Sequence, residues 1–260
     1  MGIQIEVLNS AGEVLFSQNG TDNVSLVFER AYASGDTIYI TSAPKSFLKI
    51  SVDPSIPKTL VYLENGYFRY PIPFEENRLA YAPTAFVGER HMISADLPLA
   101  FELEAYRDLA MNPLDLHDCE GVYPHISANA ETRGESVFAA RNVLDGCRAN
   151  QGHGEWPYLS WGVDIAVDAK ITIDFGRTVE VSQMGICIRA DFPHDSWWTE
   201  ATLVLSDGSV QVFKMRKTDV LQIIDIGRHD IRWARIENWV KYEEPAEFPA
   251  LIAWEMYGRG

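Results

Sequence analysis

Apolar and polar residues alternate along the first hundred positions in runs too short for helices. Ile3–Leu8, Val14–Ser17, Ser25–Glu29, Thr37–Thr41, Phe47–Val52, Thr59–Leu63, Gly66–Arg69 and Arg90–Ala95 each read as a short strand. Turn residues such as Ser10-Ala11-Gly12 and Gly35-Asp36 separate them. Asn65-Gly66 between two such runs predicts a hairpin. Strands at this spacing without intervening helices predict an antiparallel sandwich over residues 1–97. The composition agrees: 18 Gly, 13 Pro and 7 Trp, 11 Tyr and 12 Phe suit turns and strands better than a helix bundle.

Residues 98–120 read as a connector. Apolar side chains at 101, 103, 105, 106, 109 and 110 predict a short helix over Phe101–Ala110, and Pro113 stops it. A second sandwich is expected over residues 121–260. Its strands are Lys170–Asp174, Val181–Ile188, Ala201–Leu205, Val210–Met215, Leu221–Ile226, Ile231–Asn238 and Leu251–Tyr257. Short turns at Gly176, Ser206-Asp207-Gly208 and Gly227–Asp230 alternate with long connections at Cys147–Ala169, Ala190–Thr199, Arg216–Val220 and Trp239–Ala250. That alternation gathers the long loops at one end, where scaffolded proteins carry function. The fold class is all-β, with two β-sandwich domains.

Thirty-seven acidic residues against 22 basic ones give a net charge of −15, which repels phosphate backbones and disfavours nucleic acid as a partner. No uncharged apolar run reaches the roughly 18–20 residues of a membrane helix, so membrane insertion is not expected. Cys119, Cys147 and Cys187 are odd in number and lack motif spacing, so they read as reduced, partly buried thiols. The N-terminus, MGIQIEVLNSAGEVLF, lacks the basic and apolar regions of a signal peptide. The expectation is a cytoplasmic protein, or a secreted one whose leader lies outside this sequence.

The long loops are rich in aromatic, imidazole and charged groups. Trp is rarely placed in a polar loop for packing alone, because it needs a large apolar surface and a partner for its N–H. Aromatic faces suit the C–H face of a pyranose, and charged planar groups make strong hydrogen bonds to paired hydroxyls. The candidate ligand-binding residues are Trp156, Tyr158, Arg189, Asp191, His194, Trp198 and Tyr242. The competing reading is that Trp161 and one of Trp197 and Trp198 close the core.

Residues 121–260 resemble the galactose-binding-like superfamily, which includes discoidin domains and family 32 carbohydrate-binding modules. The matching pieces are Ser127–Asn129, the AARNVLDG of Ala139–Gly146, the ITIDFG of Ile171–Gly176 and the LIAWEMYG of Leu251–Gly258. The resemblance implies a jelly-roll sandwich that binds a carbohydrate through loops at one end. It also implies a structural calcium held by Asp145, Glu255 and backbone carbonyls between Asn142 and Asn150. The alternative is a metal-free pair, salt-bridged or hydrogen-bonded. After the DG turn this chain departs from the family, with the longer CRANQGHGEWPYLSW.

Two other functional classes compete with non-catalytic sugar binding. A carbohydrate-active enzyme would use a pair among Glu155, Asp191, Asp195, Glu243 and Glu244, or His194 with Arg189; no standard catalytic signature is present. A protein-interaction adaptor would use the groove between the sandwiches. His117, Cys119 and His125 are close enough in sequence for zinc, but their spacing completes no standard four-ligand set.

Overall fold

The computed structural model describes residues 2–163, 166, 168–189, 196–243 and 245–260. The first half holds β1 (Ile3–Leu8), β2 (Val14–Gly20), β3 (Asn23–Glu29), β4 (Thr37–Thr41), β5 (Ser46–Ser51), β6 (Thr59–Leu63), β7 (Tyr67–Pro71) and β8 (Arg90–Asp96). Then come α1 (Ala100–Glu104), β9 (Arg107–Asp108), β10 (Val122–Tyr123), β11 (His125–Ala128) and β12 (Trp161–Gly162). The long strands close the chain: β13 (Ile171–Ile188), β14 (Trp198–Leu205), β15 (Val210–Lys214), β16 (Gln222–Lys241) and β17 (Ala250–Arg259).

Two antiparallel sheets, ordered β2-β1-β4-β7 and β10-β6-β5-β8-β3, enclose the first core. The expected alternation is visible in β3, where Val24, Leu26 and Phe28 are buried between exposed neighbours. Asn65-Gly66 does not make a hairpin. β6 pairs with β5 and β10, whereas β7 pairs with β4 in the other sheet. The turn therefore carries the chain from one sheet to the other. Gly66 has a positive φ and lies so close to Ser42 that an added Cβ would stand 2.7 Å from the Ser42 carbonyl oxygen. Turn chemistry fixes the reversal, and packing decides which strands pair across it.

The second core lies under the sheet ordered β12-β17-β13-β16-β14-β15, with β11 added to β13 and β9 to β17. The reversals expected at Gly176 and at Gly227–Asp230 are irregularities within continuous strands. β13 and β16 pair on both sides of them, with register shifts between Asp174 and Val179 and between Val181 and Gln183. Gly176 and Gly227 both have positive φ, which a bulge accommodates as readily as a turn. The helix expected to reach Ala110 ends at Glu104 instead, because Arg107 and Asp108 are recruited as β9 against Gly258 and Tyr257.

The stretch after α1 is bound into both cores. Leu109 and Ala110 belong to the second core; Leu114, Cys119 and Val122 belong to the first, as do Val137 and Leu159 from farther on. Asn112 is fully buried, its amide donating to the Pro124 carbonyl and its oxygen accepting from the Leu114 N–H. The Ser136 N–H donates to Glu76 and the Trp156 N–H to the Leu79 carbonyl, so the later loops lean on the first sandwich.

Candidate functional site

The indoles set the limits of any site. Trp161 and Trp198 are 0% and 3% exposed, and with Trp239 they form a cluster whose centroids lie 4.5–6.3 Å apart. Trp198 is therefore core and cannot serve as a ligand platform, which corrects its place among the candidates. It opens β14 opposite Lys241, on the inward side of the alternation. Its neighbour Trp197 is half-buried and stacks on Tyr242 at 5.4 Å. Tyr242 itself is half-exposed.

Trp156 is exposed, but its backbone ties it to Leu79. The Tyr158 ring covers Gly152, where an added Cβ would stand 3.1 Å from it. Neither lines the cleft that Arg189 enters. Asp191 and His194 lie outside the described residues.

That cleft has a volume of about 240 Å³ and takes in Arg133, Phe138, His153, Val163, Arg189 and Phe248. Arg189 leaves β13 with its N–H donating to the Ala250 carbonyl and its Nη2 to the Phe248 carbonyl, at 2.9 and 3.2 Å. It thereby holds the last loop against the end of β13. Arg133, at positive φ, places its guanidinium carbon 5.7 Å from the Phe138 centroid and bonds Glu135 through Nη2 at 2.8 Å. Gly162 forms part of the floor. A Cβ there would meet the Thr132 hydroxyl oxygen at 2.5 Å, so only glycine lets Thr132 and Phe138 close over it. A second hollow of about 260 Å³ shares Phe248 and adds Ser196 and Glu247. Among the described residues lining the first cleft there is no carboxylate.

Sequence reasoning did not select Arg133, Phe138, His153 or Phe248. His153 and Phe248 sit in the long loops. Arg133 and Phe138 come from the 131–139 turn, and only the tertiary fold brings that turn beside β12.

The residues proposed for calcium do not fit that ion. Glu255 is nearly buried; Arg148 donates Nε to one carboxylate oxygen at 2.6 Å, and the Tyr257 hydroxyl bonds the other. A guanidinium thus sits on the acidic ligand. Asp145 accepts from the Cys147 N–H at 2.6 Å, and burial pushes its carboxyl up to about 7. The zinc reading fails too. His117 pairs with Glu131 and His125 with Asp115, at 2.7 and 2.8 Å, while burial pushes the Cys119 thiol up to about 12. Among the described residues no three His, Cys, Asp or Glu side chains gather as metal ligands.

The four sequence pieces fall together in the C-terminal sandwich. Ser127 on β11 pairs with Thr172 on β13, β17 pairs along β13, and Ala140, Val143 and Leu144 cap the same core. They build one all-β core, the architecture that the sequence resemblance implies. No family model and no curated protein matches the chain. Solved structures do align with it. Chitosan-binding module 1 from a Paenibacillus sp. IK-5 chitosanase/glucanase is 14% identical, with a TM-score of 0.41, over 58% of this chain and 99% of its own. A Streptococcus pneumoniae fucose-binding module is 13% identical, with a TM-score of 0.43, over 59% and 99%. The lectin domain of lectinolysin, complexed with Lewis B antigen, is 15% identical, with a TM-score of 0.44, over 59% and 98%. Likenesses of this degree decide neither ligand nor site. Among the described residues no helix is long and apolar enough to cross a membrane.

Proposed function

We propose that the C-terminal sandwich recognises a carbohydrate, without transforming it, in the cleft between the 131–139 turn and the loop ending at Ala250. The observation that carries this reading is the joint placement of Arg133, His153 and Arg189 with the Phe138 and Phe248 rings in one concave site. Planar N–H donors suit paired hydroxyls, and aromatic rings cover the apolar face of a sugar. The non-catalytic reading rests on the sequence, which holds no standard catalytic signature. Asp191 and His194 follow Arg189 directly in the chain and stay in the proposal on sequence alone.

Glycan-array screening followed by affinity electrophoresis tests it. His153 and Phe248 are exposed, so His153→Ala and Phe248→Ala leave the fold intact. Each is expected to weaken binding by about tenfold or more. Wild-type binding in both variants would remove this cleft as the site.

A further inference from the structure

A larger cavity, of about 680 Å³, lies where the two sandwiches meet. We propose that it is a second ligand site, for a small sugar acid bearing a single carboxylate. This goes beyond the function proposed above and does not rest on it, since the two cavities share no lining residue.

Arg141 carries the argument. Its Nη1 donates to the Tyr81 hydroxyl and to the Asp115 backbone carbonyl, and its guanidinium carbon sits 4.7 Å from the Tyr81 centroid. The Tyr81 hydroxyl is fixed in turn by the Tyr70 hydroxyl at 2.7 Å. These partners are neutral. Among the described residues no carboxylate pairs with Arg141; Asp115 and Asp145 act on it only at longer range, and Asp115 is engaged by His125. Nε and Nη2 have no acceptor among the described residues, yet the side chain lines the cavity. A guanidinium held by one nitrogen, with the other edge open, is preorganised for a two-point bond to a carboxylate.

Arg69 on β7 also lines the cavity and has no partner among the described residues. Tyr67 and Phe74 offer half-buried rings, and the exposed Asn77 offers an amide, for a hydroxylated ring attached to that carboxylate. Glu75, Asp118 and Glu120 are exposed members of the same lining. They accept hydroxyl hydrogen bonds and repel further negative charge, which selects a singly charged ligand over a polyanion. The volume falls within the roughly 300–1,000 Å³ of small-molecule sites.

Calorimetric titration of the full chain at pH 7 with galacturonate and glucuronate, and with galactose as the neutral control, tests the assignment. At least one uronate is expected to bind where galactose does not. Arg141→Lys keeps the charge but loses the two-point geometry, and is expected to weaken that binding about tenfold. Arg69→Ala, an exposed position safe for folding, is expected to weaken it several-fold. Phe248→Ala, in the other cleft, is expected to leave it unchanged. No uronate binding, uronate binding that saturating galactose abolishes, or wild-type uronate binding in both arginine variants would overturn the proposal. Loss of uronate binding in Phe248→Ala would overturn it too. If Arg141→Lys fails to fold, Arg69→Ala decides alone.

Discussion

Trp198→Ala removes a ring packed between Trp161 and Trp239 and is expected to cost about 3–5 kcal/mol in chemical denaturation. Tyr242→Ala, at a half-exposed ring, should cost less than about 1.5 kcal/mol. Equal losses would show that the two aromatics share one environment. The tryptophans show what a sequence conceals at this scale. A Trp in a polar stretch signals an important ring, but its direction depends on one step of strand register, and WW at 197–198 presents both directions at once. Arg189 stands out in the sequence as a charged member of a long aromatic loop, but the sequence does not show that it is buried at the end of β13 with its guanidinium on the Phe248 carbonyl. Arg148 was not legible. It lies 107 residues from Glu255, and its guanidinium answers the carboxylate for which a calcium ion had been expected. Chelation with EDTA should therefore leave the melting temperature unchanged. Arg148→Ala should lower stability by about 1–3 kcal/mol, measured by denaturant titration. A melting shift on chelation would return the cation to this turn.

The strands of the first sandwich were readable because each keeps a clean period of two, as Val24, Leu26 and Phe28 do. Pairing was less readable. The Asn65-Gly66 turn looks like a hairpin but changes sheet, and Gly176 and Gly227 look like turns but sit inside β13 and β16. In each case the glycine was correctly seen as a special backbone position, and the partner strand was set by distant residues. Gly258 on β17 puts the same physics to a test. An added Cβ there would stand 1.8 Å from the Glu180 carbonyl oxygen, which is backbone and cannot swing aside. Gly258→Ala is expected to force the β13–β17 ladder apart at that point and to lower stability by about 1–3 kcal/mol or more. Hydrogen exchange should show faster amides along the end of β17, and unchanged protection would contradict the packing described.

Titration acts on the molecule as a whole. Burial raises Asp108 to about 6 and Asp145 to about 7, and Asp115 is raised by burial as well. His117 and His125 are raised too, the first by its hydrogen bond to Glu131, the second by Asp115 against an opposing burial effect. All five hold protons more tightly when folded, so each contributes stability on the acid side that is lost as pH rises; for Asp108 and Asp145 it is full below the ordinary aspartate range and gone once pH passes about 6 and about 7. The carboxylates with lowered values, Glu102, Glu135 and Asp207, lie toward the surface; their contribution is already complete above the ordinary carboxylate range and is lost only as pH falls through it. A net charge of −15 adds self-repulsion in the same direction as the five raised groups. The melting temperature should be higher at pH 5.5 than at pH 8, and Asp145→Asn should flatten the difference. A melting temperature that rises toward pH 8 would contradict this assignment of protons. The central claim, sugar recognition in the cleft of the second sandwich, is tested most directly by mapping amide shifts on the labelled chain while titrating the strongest glycan-array ligand. The predicted result is a contiguous response at residues 132–138, 153, 162–163, 189 and 248–250. A response confined to other surfaces, or no array ligand at all, would contradict it.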